Sequence, residues 1–101
     1  MIHITLVCAA GMSTSMLMAK MQQSAKSKSI DASIIAMPEE KFKNYNGQTE
    51  ILLLGPQISY LEDDLREKYE PRGIKVSVID MVDYGTMNGE KVLMDALSLL
   101  N

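Results

Sequence analysis

Ile51-Leu52-Leu53-Leu54-Gly55-Pro56 decides the fold. Four aliphatic residues in a row, without polar alternation, suit a strand covered on both faces, and such strands occupy the middle of parallel sheets. Gly55-Pro56 stops the run, because proline brings no N–H to a ladder and glycine turns without steric cost. Upstream, residues 30–37 alternate, with Ile30, Ala32, Ile34 and Ala36 against Asp31 and Ser33. Downstream, residues 75–79 alternate around Val76 and Val78. Both read as half-exposed edge strands. At the start of the chain, Ile2, Ile4, Leu6 and Cys8 share one face of a strand, and His3, Thr5 and Val7 share the other.

Helical patterns fill the intervals. Leu17, Met21 and Ala25 recur at four-residue spacing with Met18 beside them, predicting a helix that runs to about Ser29. Its later Lys26 and Lys28 complement the negative end of the helix dipole. Pro38-Glu39-Glu40 opens a short helix reaching Phe42. Ile58, Leu61, Leu65 and Tyr69 form another stripe, stopped by Pro71 and Gly73. Residues 80–87 read as a loop. Asn88 can cap a last helix that turns Val92, Leu93, Ala96, Leu97 and Leu100 inward.

The succession predicts an α/β fold: a four-stranded parallel sheet of order 2-1-3-4, helices on both faces, joined by right-handed crossovers. The 101 residues suit one domain. In such a sheet the site lies at the carboxyl ends of the strands where the order reverses, between the first and third. Cys8 ends the first strand.

Composition excludes several classes. The formal charge of −3 comes with no basic block, which speaks against nucleic acid or an anionic membrane surface as partner. No apolar run approaches the ~20 residues that span a bilayer. Met1-Ile2-His3-Ile4-Thr5 lacks the cationic opening of a signal peptide, so a cytoplasmic location is expected. One cysteine makes neither an internal disulfide nor a multi-thiolate zinc site. The nine methionines fall mostly on apolar positions and read as core filling. No metal and no cofactor is expected, and no glycine-rich nucleotide motif is present.

Chemistry concentrates in Cys8-Ala9-Ala10-Gly11-Met12-Ser13-Thr14-Ser15. A strand delivers a thiol, a loop of small residues turns, and a helix begins. Backbone N–H groups there can converge on one point, with the positive helix end behind them, as an anion site requires. Ala9 and Ala10 keep bulk away, and Gly11 permits the turn. The hydroxyls of Ser13, Thr14 and Ser15 can donate to an oxyanion or a thiolate. That field favours the thiolate, so Cys8 is the candidate phosphoryl acceptor. Low-molecular-weight tyrosine phosphatases and arsenate reductases resemble this arrangement but carry an arginine six positions after the cysteine. Here that position is Thr14. Without the guanidinium clamp, hydrolysis of a thiophosphate suffers and a carrier benefits.

Other residues are weighed against bland roles. His3 is the only histidine, lies on the face opposite Cys8, and reads as structural. Asp80 and Asp83 could serve as acids of a phosphatase or a receiver domain, but a receiver wants acids ending the first strand. Asp80 reads instead as a cap. Glu39-Glu40 and Glu62-Asp63-Asp64 read as solvated faces. Gln57 and Tyr84 follow the third and fourth strands near the Cys8 rim and are candidate supporting groups.

Three stretches carry a family resemblance: Leu6-Val7-Cys8-Ala9-Ala10-Gly11-Met12-Ser13-Thr14-Ser15, Leu52-Leu53-Leu54-Gly55-Pro56-Gln57-Ile58-Ser59-Tyr60, and Val78-Ile79-Asp80 with Tyr84-Gly85. The chain resembles a free-standing enzyme IIB of the bacterial sugar phosphotransferase system, lactose/cellobiose/chitobiose group. Met-Ser-Thr-Ser is closer to the cellobiose and chitobiose members. The resemblance implies a phosphohistidine donor, enzyme IIA, a phosphocysteine on Cys8, and a sugar bound by the membrane component, enzyme IIC. It also implies work at the inner membrane face without insertion. Two alternatives stay open on the residues alone: a phosphatase or arsenate reductase, and a non-catalytic anion-binding thiol module.

Overall fold

A computed structural model describes residues 1–8 and 13–100. Strands β1 (Ile2–Cys8), β2 (Ala32–Pro38), β3 (Ile51–Leu54) and β4 (Lys75–Val78) form one parallel sheet in the order β2-β1-β3-β4. This is the expected α/β topology. The register sets Cys8 against Pro38 of β2, and Val7 against Leu54 of β3. The thiol therefore stands where the strand order reverses.

Helices cover both faces. On one, α1 (Ser13–Ser27) and α5 (Gly89–Ser98) pack Leu17, Met21, Ala25, Val92, Leu93 and Ala96 against Ile4, Leu6, Ile51 and Leu53. On the other, α2 (Glu39–Phe42) and α3 (Glu62–Tyr69) set Phe42, Leu65 and Tyr69 against Val7, Leu52, Leu54 and Val76. Each fully buried aliphatic side chain contributes roughly 1.5–3 kcal/mol. The alternation read in β1 and the unbroken run of β3 are the two halves of this sandwich.

Four boundaries differ from the sequence reading, each for a local reason. Helix α1 stops at Ser27, because Ser29 takes a left-handed φ of 55° and the Ile30 N–H donates back to Ala25 O at 2.8 Å. That closure delays β2 to Ala32. The stripe from Ile58 to Tyr69 is not one helix. Pro56–Leu61 is a 3₁₀ turn kinked at Ile58 (φ −117°, ψ 26°), and α3 starts at Glu62. Residues 80–87 are not simply a loop, since Met81–Gly85 forms α4. The Asp80 carboxylate accepts from the Val82 and Asp83 N–H groups at 2.9 and 3.1 Å, and Thr86 donates to Val82 O at 2.8 Å. A five-residue helix made by its caps leaves no stripe to read. Leu100, expected inward, lies beyond α5 and is 41% exposed.

At the amino ends of the strands, Glu50 Oε1 accepts from the His3 N–H at 2.7 Å and lies 3.0 Å from His3 Nδ1. Partial burial pushes the Glu50 carboxyl up, but the His3 backbone and side chain outweigh it and hold it below the usual glutamate value. A carboxylate depressed by folding stabilises the native state above its unfolded pKa of roughly 4.3 and loses that contribution as pH falls through the folded value. Urea midpoints measured on the acid side should therefore fall less steeply in Glu50→Gln than in the parent. Equal acid slopes would remove Glu50 from the account.

Candidate active site at the end of β1

Cys8 is 4% exposed, and Thr14, in the first turn of α1, is 2% exposed. The Thr14 hydroxyl donates to Cys8 Sγ at 3.5 Å, a fair length for a bond to sulfur. The position that would carry arginine in a phosphatase thus holds a small donor aimed at the sulfur, and its burial leaves little room for a guanidinium. Cys8, Thr14 and Ser15 line an open cleft of about 250 Å³, completed by Ala36, Met37, Pro38 and Lys41. Ala9, Ala10, Gly11 and Met12, the centre of the expected cradle, lie outside the described residues. Ser13 opens α1.

Gly55 joins the cleft to its neighbour. Its N–H donates to Val7 O at 2.9 Å, which turns the chain over the end of β1. A methyl on Gly55 would meet Gln57 Oε1 at 2.8 Å and the Cys8 Cβ at 3.8 Å. The Gln57 amide and the thiol carbon therefore border one small space beside Gly55. Gln57 also lines a shallow hollow with Pro56, Met81, Tyr84 and Gly85. The structure brings Gln57 and Tyr84 together, with Tyr84 buried and Gln57 exposed.

Asp83 belongs elsewhere. It is 6% exposed, and Lys91 Nζ reaches its carboxylate at 3.1 Å and that of Asp95 at 2.9 Å. Hydrogen bonds that it donates to Asp95 and then Asp83 raise the Lys91 ammonium well above the ordinary lysine value. A carboxylate so held ties α4 to α5. Among the described residues no cluster of His, Cys, Asp or Glu could hold a metal ion.

Lys41 is the residue the sequence reading passed over. Nothing in Glu39-Glu40-Lys41-Phe42 marks it. The signal is topological: Pro38 pairs with Cys8 across the sheet, and α2 follows Pro38 directly, so whatever its first turn carries rises beside the thiol.

The sequence profile of the family described as "PTS system, Lactose/Cellobiose specific IIB subunit" matches residues 3–95. This chain belongs to that family. The galactose-specific EIIB component of Lactococcus lactis subsp. cremoris and the cellobiose-specific one of Lactococcus lactis subsp. lactis are each 42% identical to it, over 97% of this chain and 95% of theirs. The oligo-beta-mannoside-specific EIIB component of Bacillus subtilis is 40% identical over 96% of this chain and 94% of its own. The solution structure of a cellobiose-specific IIB component from Borrelia burgdorferi superposes with a TM-score of 0.76 at 44% identity, covering 96% of this chain and 89% of that one. A lactose-specific IIB domain from Streptococcus pneumoniae shares the fold at a TM-score of 0.86 with 15% identity, over 96% and 95% of the two chains. Components of the IIB family act in phosphotransfer to sugar, together with EIIA and membrane EIIC components. Among the described residues of this IIB chain, no helix is long and apolar enough to cross a membrane.

Proposed function

We propose that this IIB chain carries the phosphoryl group on Cys8. The thiolate sulfur attacks phosphorus of a phosphohistidine on enzyme IIA. An S–P bond forms as the N–P bond breaks, and the bonding pair leaves on the imidazole nitrogen. In the second step a hydroxyl oxygen of a sugar held by enzyme IIC attacks the same phosphorus. The O–P bond forms, the S–P pair returns to sulfur, and the hydroxyl proton passes to solvent. Both steps need positioning and charge stabilisation more than acid–base chemistry.

One observation carries the reading: the thiol ends inner strand β1 at the reversal of strand order, with Thr14 in place of an arginine as a hydrogen-bond donor. Backbone N–H groups of residues 9–15 serve as the phosphate cradle, with the Ser13, Thr14 and Ser15 hydroxyls around it. Gln57 and Tyr84 support the rim. Met16, Met81 and Val82, exposed by 61%, 75% and 70%, offer enzyme IIA an apolar landing at that end. The sugar is a β-linked disaccharide of the cellobiose or chitobiose kind, following the Met12-Ser13-Thr14-Ser15 form. The 101 residues act as one domain on the cytoplasmic side.

Incubation with phosphorylated enzyme IIA should leave one phosphate on the peptide containing Cys8, read by mass spectrometry at neutral or alkaline pH. Aryl phosphate should release no phosphate. Steady hydrolysis of aryl phosphate would make the chain a phosphatase, and phosphate bound without a covalent adduct would make it an anion-binding module.

A further inference from the structure

We infer that Lys41 is a charge-stabilising residue for the phosphoryl group on Cys8, an inference that rests on the proposed phosphocysteine. Of the seven described residues lining the Cys8 cleft, Lys41 alone is a cation. The cleft offers room at the sulfur, and the phosphoryl placed there brings up to two negative charges into a space walled by Ala36, Met37 and Pro38. Thr14 supplies a neutral donor only. An ammonium on a flexible stem, able to follow the group as it arrives and leaves, is the complement the wall lacks.

Its surroundings keep that ammonium available. Lys43, two positions on, lies 3.8 Å from Glu39. Lys41 has no ion pair among the described residues. Glu39 and Glu40 share α2 with it, yet neither lines the cleft, and Glu39 faces Lys43. The segment of α1 from Ser13 to Ala19 brings no charge. A lysine here also differs in kind from an arginine in the loop. It neutralises charge from the side, without the planar two-pronged grip that sets up attack by water.

The test is ³¹P NMR of the phosphorylated protein, followed against pH. A cation beside the phosphoryl lowers its second ionisation, so Lys41→Gln should raise that midpoint by roughly 0.2–0.7 pH units, as expected for an exposed charge pair. The fraction phosphorylated at equilibrium with the IIA donor should fall about two- to five-fold by phosphotransfer constant, and the gap should narrow in high salt. Lys41→Arg should restore the midpoint. Lys43→Gln, which removes the same charge from the C-cap of α2 outside the cleft, should leave it unmoved. A phosphocysteine whose titration is unchanged in Lys41→Gln overturns this inference alone. Equal shifts in the Lys41 and Lys43 variants overturn it too, because they report net charge and not contact. Absence of any phosphocysteine signal in the parent protein removes the Cys8 reading itself.

Discussion

Cys8→Ser should lower phosphoryl transfer from enzyme IIA by on the order of 10³-fold or more while leaving the fold standing. The activity loss follows from the cleft's contents. A serine hydroxyl is a poor nucleophile unless a base takes its proton, and none of the residues lining the cleft is His, Asp or Glu. Thiol chemistry needs no such help, since a thiol ionises within reach of neutral pH. The fold should hold because oxygen replaces sulfur with little change of shape, and Thr14 remains beside it as a hydrogen-bond partner. The measurement is transfer of labelled phosphate from enzyme IIA, with melting temperature as the control for folding. Label retained on Cys8→Ser at a rate near the parent's would place the acceptor elsewhere. Loss of label together with a collapsed melting temperature would call for Cys8→Ala, whose removal of the nucleophile carries no buried hydroxyl.

The sheet was legible because each strand shows its burial in its own pattern, alternating or unbroken. Ile51–Leu54 reads as central and Lys75–Val78 as an edge from residue types alone, and the strand order follows. The long helices were legible for the same reason, since Leu17, Met21 and Ala25 repeat with the helical period. What could not be read was structure made by single hydrogen bonds. Helix α4 exists because one aspartate caps two N–H groups, and α1 ends where one serine accepts a left-handed conformation. Neither event changes hydrophobic periodicity. The site divides along the same line. Cys8, Thr14 and Ser15 are local in sequence and were found together, whereas Lys41 lies 33 positions from Cys8 and reaches the cleft only through the pairing of β2 with β1. Asp80 is legible as a cap, whereas the place of Asp83 rests on its distant pair with Lys91.

Alanine placed at three glycines should rank stability as Gly89→Ala well below Gly73→Ala, with Gly85→Ala close to the parent. Gly89 is buried at the start of α5, where a methyl would lie 2.6 Å from the Lys20 carbonyl carbon and 2.7 Å from the Met21 nitrogen. Both are α1 backbone and cannot rotate aside, so α5 must move off α1 and uncover part of Leu93 and Met21. Overpacking of this kind costs about 1–3 kcal/mol, which for a domain of this size lowers the melting temperature by roughly 5–20 °C. Gly73 has open space around it but a φ of +88°, so alanine there is strained by about 1 kcal/mol without any clash. Gly85 has neither constraint, ends α4, and should accept alanine within about 0.5 kcal/mol. Thermal unfolding of the three variants decides the order. The comparison bears on the site as well as the fold, because α1 carries Thr14 in its first turn and is held against the sheet by α5. If Gly89→Ala melts with Gly85→Ala, α1 is not seated by that contact, and the 3.5 Å approach of Thr14 to the sulfur must be fixed from the strand side alone.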